Sequence, residues 1–254
     1  MPTADDHALA AHVAERAGDL LLEVRRHAGA GDARTLGDDG DRRAHELITA
    51  LLHEGCPGDA VLSEEGVQPG ESGPWGAHYG ARRIWIVDPL DGTREFSEGR
   101  ADFAVHVALV ESAAPVVGAV ALPGEGVVLT TKDPPTLPPR PTGKLRILVS
   151  RTRPPAEVAT VVGRLDAELV PMGSAGAKTM AVVRGEGDIY LHSGGQYEWD
   201  SAAPVAVALA AGVHASRLDG SALTYDQPDP WLPDLLICRP ELVDQVLSAL
   251  QARP

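Results

Sequence analysis

Basic charge is scarce in this chain. Its 254 residues carry 22 lysines and arginines against 36 aspartates and glutamates, a formal net charge of −14. That balance argues against a nucleic-acid polymer as partner, because a phosphate backbone is held by basic patches. Cysteine is nearly absent. Cys56 and Cys238 are the only two, too few for a disulfide framework or a zinc site, and they read as core fillers in a reducing compartment. Long apolar runs are missing too: none approaches the roughly 18 residues of a membrane span. Met1 to Asp6 shows no basic region leading into an apolar stretch, so no secretory signal is expected. The expectation is a cytoplasmic protein with no membrane partner. An acidic protein still binds small anions when divalent cations stand between its carboxylates and the ligand. The question is therefore whether the acids cluster.

The apolar pattern predicts helices over Asp6–Arg26 and Arg42–Glu54, from apolar residues recurring at helical spacing. Between them, Gly37-Asp38-Asp39-Gly40-Asp41 is dense in turn formers and reads as a loop. A short strand follows over Ala60–Ser63, then a polar loop from Gly66 to Gly80, then a buried strand over Arg83–Val87. Three more strands are expected over 103–110, 115–122 and 126–131. The segment Asp133–Pro141 carries five prolines and can be neither helix nor central strand. It is the expected boundary between an N-terminal α+β half, residues 1–135, and a C-terminal α/β half, residues 143–254. In the second half, strands at 145–150, 168–171, 189–191 and 234–238 alternate with helices at 155–165, 175–183, 199–211 and 240–252. The fold class is α/β.

The sharpest local feature is Asp88-Pro89-Leu90-Asp91-Gly92-Thr93, which begins where the buried strand ends. Ligands of open α/β layers bind at such ends. Pro89 fixes its own φ, Gly92 permits close backbone approach to a ligand, and Thr93 adds a hydroxyl. Two carboxylates this near one another repel unless a proton or cation lies between them. Hard oxygen donors select Mg²⁺, Mn²⁺ or Ca²⁺. Glu64 and Glu65 follow the short strand, and Asp200 opens a strongly apolar helix. Each of these acids alone reads as an exposed turn or a helix N-terminal carboxylate. Gly173 to Lys178 puts small residues at a helix start, where amides can meet an anion.

Taken together and in this order, these residues resemble the inositol monophosphatase-like superfamily of Mg²⁺-dependent, lithium-sensitive phosphatases. The resemblance rests on Glu64-Glu65, on the run from Trp85 to Thr93, and on Trp199-Asp200. Arg94-Glu95-Phe96 is similar to the 3′(2′),5′-bisphosphate nucleotidases, nearest to their actinobacterial CysQ type. Gly173–Lys178, Tyr190–His192 and Gly194-Gly195-Gln196 support that choice.

The resemblance implies a layered αβαβα fold and hydrolysis of the 3′-phosphate of 3′-phosphoadenosine 5′-phosphate. It implies two to three Mg²⁺ ions, with Mn²⁺ as a possible substitute. Glu64, Asp88 and the Leu90 carbonyl would hold one ion. Asp88, Asp91 and Asp200 would hold a second, and Glu64 would help place a third through water. Asp41 with Thr93 would orient or deprotonate the attacking water. Gly92 and Thr93 would hold the scissile phosphate. Ser174, Lys178, Arg153 and His192 would contact the rest of the substrate, a small phosphorylated metabolite. The family also implies a possible homodimer.

Three rivals remain open. One is a broader inositol monophosphatase or fructose 1,6-bisphosphatase. Another is a non-catalytic nucleotide sensor on the same fold, which would be expected to lose Asp41, Glu64 or Thr93. The last, a glycosidase with paired carboxylates, is disfavoured by an aromatic content of 4%.

Overall fold

The computed structural model describes residues 2–28, 33–66, 81–155 and 157–251. Its elements run α1 (Ala4–His27), α2 (Ala33–Gly55), β1 (Ala60–Ser63), β2 (Ile84–Asp91), α3 (Thr93–Ser97), β3 (Ala104–Glu111), β4 (Ala114–Leu122) and β5 (Val127–Thr130). They continue with β6 (Leu145–Ser150), α4 (Glu157–Leu165), β7 (Ala167–Met172), α5 (Ala175–Val183), β8 (Ile189–Tyr197), α6 (Glu198–Ala210), β9 (His214–Ser216), β10 (Trp231–Cys238) and α7 (Val243–Gln251).

The strands form two five-stranded sheets, ordered β1-β2-β3-β4-β5 and β7-β6-β8-β10-β9. In the first, β1 and β2 run parallel and the other pairs antiparallel. The alternating side chains of its strands divide between two cores, as the two-residue repeat of a strand requires. Trp85, Val87, Val105, Val107 and Leu109 pack under α1 and α2. Ile84, Ile86, Ala108 and Val110 face the opposite way, into a core shared with α5 and α6. Leu148, Tyr190, Leu235 and Ile237 of the second sheet enter that shared core from the other side. Ile147, Val149, Leu191, Leu236 and Cys238 pack outward with α4 and α7. The result is the expected five-layer αβαβα arrangement, with α5 and α6 in the middle. Cys238 is a buried core side chain and Cys56 is half-buried; both are free thiols.

Most expected elements lie where the apolar pattern placed them, within a few residues. The turn-rich stretch from Gly37 to Asp41 is a correction: it lies inside α2, which starts at Ala33 rather than Arg42. Its glycines are there for contact with α3. A Cβ on Gly37 would come within 2.7 Å of Thr93 Cγ2 and 2.9 Å of Ser97 Oγ, and one on Gly40 within 3.0 Å of Phe96. β8 also runs on to Tyr197, through Gly194 and Gly195, instead of stopping at Leu191. Two short elements were not expected, α3 and β9. The loop expected over Gly66–Gly80 lies, beyond Gly66, outside the described residues.

Arg83, just before β2, ties the first sheet to α1. Its guanidinium meets Asp6 at 2.6 Å, Asp59 at 3.1 Å and Glu111 at 3.0 Å.

The contrast between two helical glycines gives a test of this packing. Gly37→Val should destabilise the protein by about 1–3 kcal/mol, because the branched side chain must displace α3. Gly163, inside α4, has open space around it, so Gly163→Ala should stabilise by roughly 0.5–1 kcal/mol through helix propensity alone. Urea denaturation midpoints moving in opposite directions are the expected result.

Candidate active site

Asp88 and Asp91 are three residues apart, and strict strand alternation would aim them at opposite faces. The ladder with β3 resolves this. Asp88 pairs with His106 and Asp91 with Ala104, with a register shift between them. Three steps on β2 therefore answer two on β3, a bulge that re-aims the later side chain. Asp88 Oδ1 accepts the Leu90 amide at 3.0 Å and holds the bend. Gly92 then turns the chain at φ +91°, a left-handed conformation that favours glycine. Thr93 opens α3 and donates its hydroxyl to the Leu90 carbonyl at 3.1 Å.

Asp200 arrives from the second half of the chain. It lies in the first turn of α6, where its Oδ2 accepts the Tyr197 amide at 2.6 Å. Carboxylate oxygens of Asp88, Asp91 and Asp200 lie within 4.8 Å of one another. Glu64 follows β1, and Asp41 is buried on α2.

The electrostatics of this wall are those of acids short of cations. Burial, then Glu64 and Asp91, pushes Asp88 well above the usual carboxylate range. Burial and Asp91 raise Asp200 to about 6. Loss of water and the charges of Asp200 and Asp91 raise Glu64 to about 7. Burial and the charges of Glu64, Glu65 and Asp38 raise Asp41 to about 8. Burial also opposes the charge on Asp91, but His106, Lys178 and the Ser174 hydroxyl outweigh it and hold its carboxyl below the ordinary range. Asp41 Oδ1 is buried without a hydrogen-bond partner among the described residues. Hard carboxylate oxygens that repel one another, beside an unsatisfied acceptor, are a donor set suited to an oxygen-liganded divalent cation. The residues present fit such an ion.

Glu64, Asp91 and Asp200 border a cavity of about 550 Å³, between the end of β2 and the loops after β6 and β7. Gly92, Thr93, Arg153, Ser174, Lys178 and His192 all line it, so the structure brings every expected substrate contact to one place. Their free hydrogen-bonding capacity differs. The Lys178 ammonium is buried and donates to the carbonyls of Met172, Gly173 and Ser174. Burial lowers its pKa to about 8. The Ser174 hydroxyl donates to Asp91 Oδ2 at 2.5 Å and accepts the Ala177 amide. Both side chains line the cavity and also shape the turn behind Asp91. His192 Nε2 donates to the Gly195 carbonyl at 3.0 Å.

Of the discriminating tripeptide, Phe96 is core and meets Phe103 edge-on. Glu95 is buried and accepts both Nε and Nη2 of Arg151. Only Arg94 and the Glu95–Arg151 pair border the cavity.

Sequence reasoning missed three features of this wall. Tyr197 and Trp199 stack with ring centroids 4.7 Å apart, and two aromatics separated by one residue gave only a faint signal. Gln196, buried just before Tyr197, also lines the cavity. His106, buried beside Asp91, is the one polar side chain in the apolar run from Phe103 to Val110, and that interruption was its available signal.

A stability prediction follows from the raised carboxyls. Glu64, Asp200 and Asp41 keep protons in the folded chain at pH values where the unfolded chain, near pH 4, has lost them. The folded state binds more protons, so the metal-free protein should lose stability as pH rises from about 4 to about 8. Asp91 acts in the opposite sense, but only below that window. A divalent cation replaces the missing protons. Melting temperature measured in EDTA should fall from pH 5 to pH 8, and Mg²⁺ or Mn²⁺ should raise it most at pH 8. A flat profile in EDTA would contradict this charge distribution.

Comparison with known proteins agrees with this geometry. Residues 5–252 match the inositol monophosphatase family. The chain is 49% identical over 259 residues to the 3′-phosphoadenosine 5′-phosphate phosphatase of Mycobacterium leprae (strain TN), covering 97% of this chain and 93% of that protein. It is 31% identical over 237 residues to the 3′(2′),5′-bisphosphate nucleotidase CysQ of Escherichia coli (strain K12), covering 87% of this chain and 94% of that one. Among solved structures, CysQ of Bacteroides thetaiotaomicron, a bacterial member of the inositol monophosphatase family, superposes with a TM-score of 0.77 at 27% identity, covering 92% and 97% of the two chains. This chain belongs to the inositol monophosphatase family.

Proposed function

We propose that this protein is a Mg²⁺-dependent phosphatase that removes the 3′-phosphate of 3′-phosphoadenosine 5′-phosphate, leaving AMP and phosphate. The observation that carries the reading is the convergence of Asp88, Asp91 and Asp200 within 4.8 Å, on a cavity wide enough for a nucleotide. The 49% identity to a phosphatase of that name supports the choice of substrate. In this reading residues 1–135 bear most of the metal ligands and residues 143–254 contribute Asp200 and the substrate wall.

Glu64, Asp88 and the Leu90 carbonyl would hold one Mg²⁺, and Asp88, Asp91 and Asp200 a second. When bound, the ions supply charge neutralisation for the phosphoryl group and a lowered pKa for water. The protein's own part is placement. Asp41 Oδ1, buried and without a hydrogen-bond partner among the described residues, would accept a proton from the attacking water, and the raised pKa of Asp41 favours that uptake near neutral pH. The amides of Gly92 and Thr93 face the scissile phosphate from the turn that closes β2. Arg153, exposed at the cavity mouth, meets the second phosphate. The stacked pair Tyr197–Trp199 offers a flat apolar face to the purine. No serine or cysteine nucleophile is needed, so no phosphoenzyme should accumulate.

The test is phosphate release from 3′-phosphoadenosine 5′-phosphate, inositol 1-phosphate and fructose 1,6-bisphosphate, each with and without Mg²⁺. A large, Mg²⁺-dependent preference for the nucleotide is expected. Asp91→Asn should lower kcat by at least about 100-fold, because the neutral amide is a poorer ligand for a hard cation. It should keep a cooperative unfolding transition. Preference for either competitor would retire the nucleotide assignment.

A further inference from the structure

His106 sits in the interior of β3 with no solvent exposure. A fully buried imidazole in an apolar strand carries a desolvation cost, which only its hydrogen bonds can offset. Its Nδ1 lies 3.0 Å from the Trp199 carbonyl oxygen. A carbonyl only accepts, so Nδ1 bears the proton and donates it there. On the far side of the ring, Nε2 lies 3.3 Å from Asp91 Oδ2, a close contact rather than a hydrogen bond, and Nε2 is buried with no hydrogen-bond partner among the described residues. Asp91 Oδ2 itself accepts the Ser174 hydroxyl at 2.5 Å and the Gly176 amide at 2.7 Å. Asp88 Oδ2 is 4.0 Å from Nδ1.

One ring therefore stands among three separate elements. Asp91 ends β2, Gly176 lies in the first turn of α5, and Trp199 immediately precedes Asp200 on α6. Gly176 is shaped for this: a Cβ added there would overlap His106 Nε2. A side chain needed only to fill the core would be apolar and would not ask for that space.

We propose that His106 is a positioning residue. It fixes the Asp91 carboxylate and the start of α6 relative to each other, so that ligands from the two parts of the chain meet at one cation. It touches no substrate. The inference rests on the reading that Asp91 and Asp200 hold a metal ion. Outer partners of metal ligands act this way elsewhere, and their loss typically costs about 10- to 100-fold in metal affinity.

The experiment is Mn²⁺ binding to the purified metal-free protein, followed by electron paramagnetic resonance, alongside thermal unfolding in EDTA. Three variants are compared with wild type: His106→Leu, His106→Asn and Gly176→Ala. His106→Leu should unfold cooperatively and bind Mn²⁺ about 10- to 100-fold more weakly. His106→Asn keeps a donor that can reach the Trp199 carbonyl, so it should recover part of the loss. Gly176→Ala leaves His106 in the sequence but drives its ring from Asp91, and should weaken Mn²⁺ in the same sense. It also keeps the test decisive if His106→Leu fails to fold. Folded His106→Leu or Gly176→Ala protein with wild-type Mn²⁺ affinity would overturn the positioning role and leave the metal site standing. Wild-type protein that binds no Mn²⁺ would instead overturn the metal reading, and this inference with it.

Discussion

Mutual repulsion of carboxylates governs this molecule. Asp88, Asp91 and Asp200 stand within 4.8 Å of one another, Asp200 and Asp91 raise the pKa of Glu64, and Glu64 raises that of Asp41. No folded chain assembles such a group by attraction among its members. The apolar cores must hold it against its own charge. Trp85 and Val87 lead into the motif from one core, while Ile84 and Ile86 anchor it in the other. α6, which carries Asp200, is buried between both sheets. The interior of the protein is thus a frame that keeps like charges close until a cation relieves them.

The surrounding hydrogen bonds serve the same end unequally. Asp91 is the best supported acid, with Ser174, Gly176 and His106 around one oxygen. Asp41 is the least supported, with a buried oxygen that has no partner among the described residues. The first arrangement favours a permanently charged ligand. The second favours a group that takes up and releases protons. Two aspartates in one cleft thereby acquire different chemistry from their neighbours alone.

Much of this could be read from the chain, and the exceptions have physical causes. Asp88 to Thr93 was legible because strand, bend and acids are contiguous. Asp200 alone read as a helix N-terminal carboxylate, and only its combination with Glu64 and the Asp88–Thr93 run made it a candidate ligand. Asp41 was placed in a turn, since Gly37 and Gly40 mark turns in isolation. Here they admit Thr93 and Phe96 against α2, a tertiary demand that a single sequence does not display. Ser174 and Lys178 were expected at the substrate from the family resemblance, and both line the cavity; their internal hydrogen bonds were not legible. The structure directs them to Asp91 and to three carbonyls. The folding of β8 through Gly194 and Gly195 was hidden for the same reason, since paired glycines usually end a strand.

The cavity wall and the acid cluster come from different stretches of the chain. The acids are set by β2 and the start of α6, both packed into shared core, and by the exposed turn after β1. The wall opposite is built from the loops after β6 and β7 and the glycine-bearing end of β8, with Arg153 exposed at its mouth. Insertions or replacements in those loops can reshape what the cleft admits while the reactive centre keeps its register. A lineage built on this scaffold is therefore free to change its diet without relearning its chemistry.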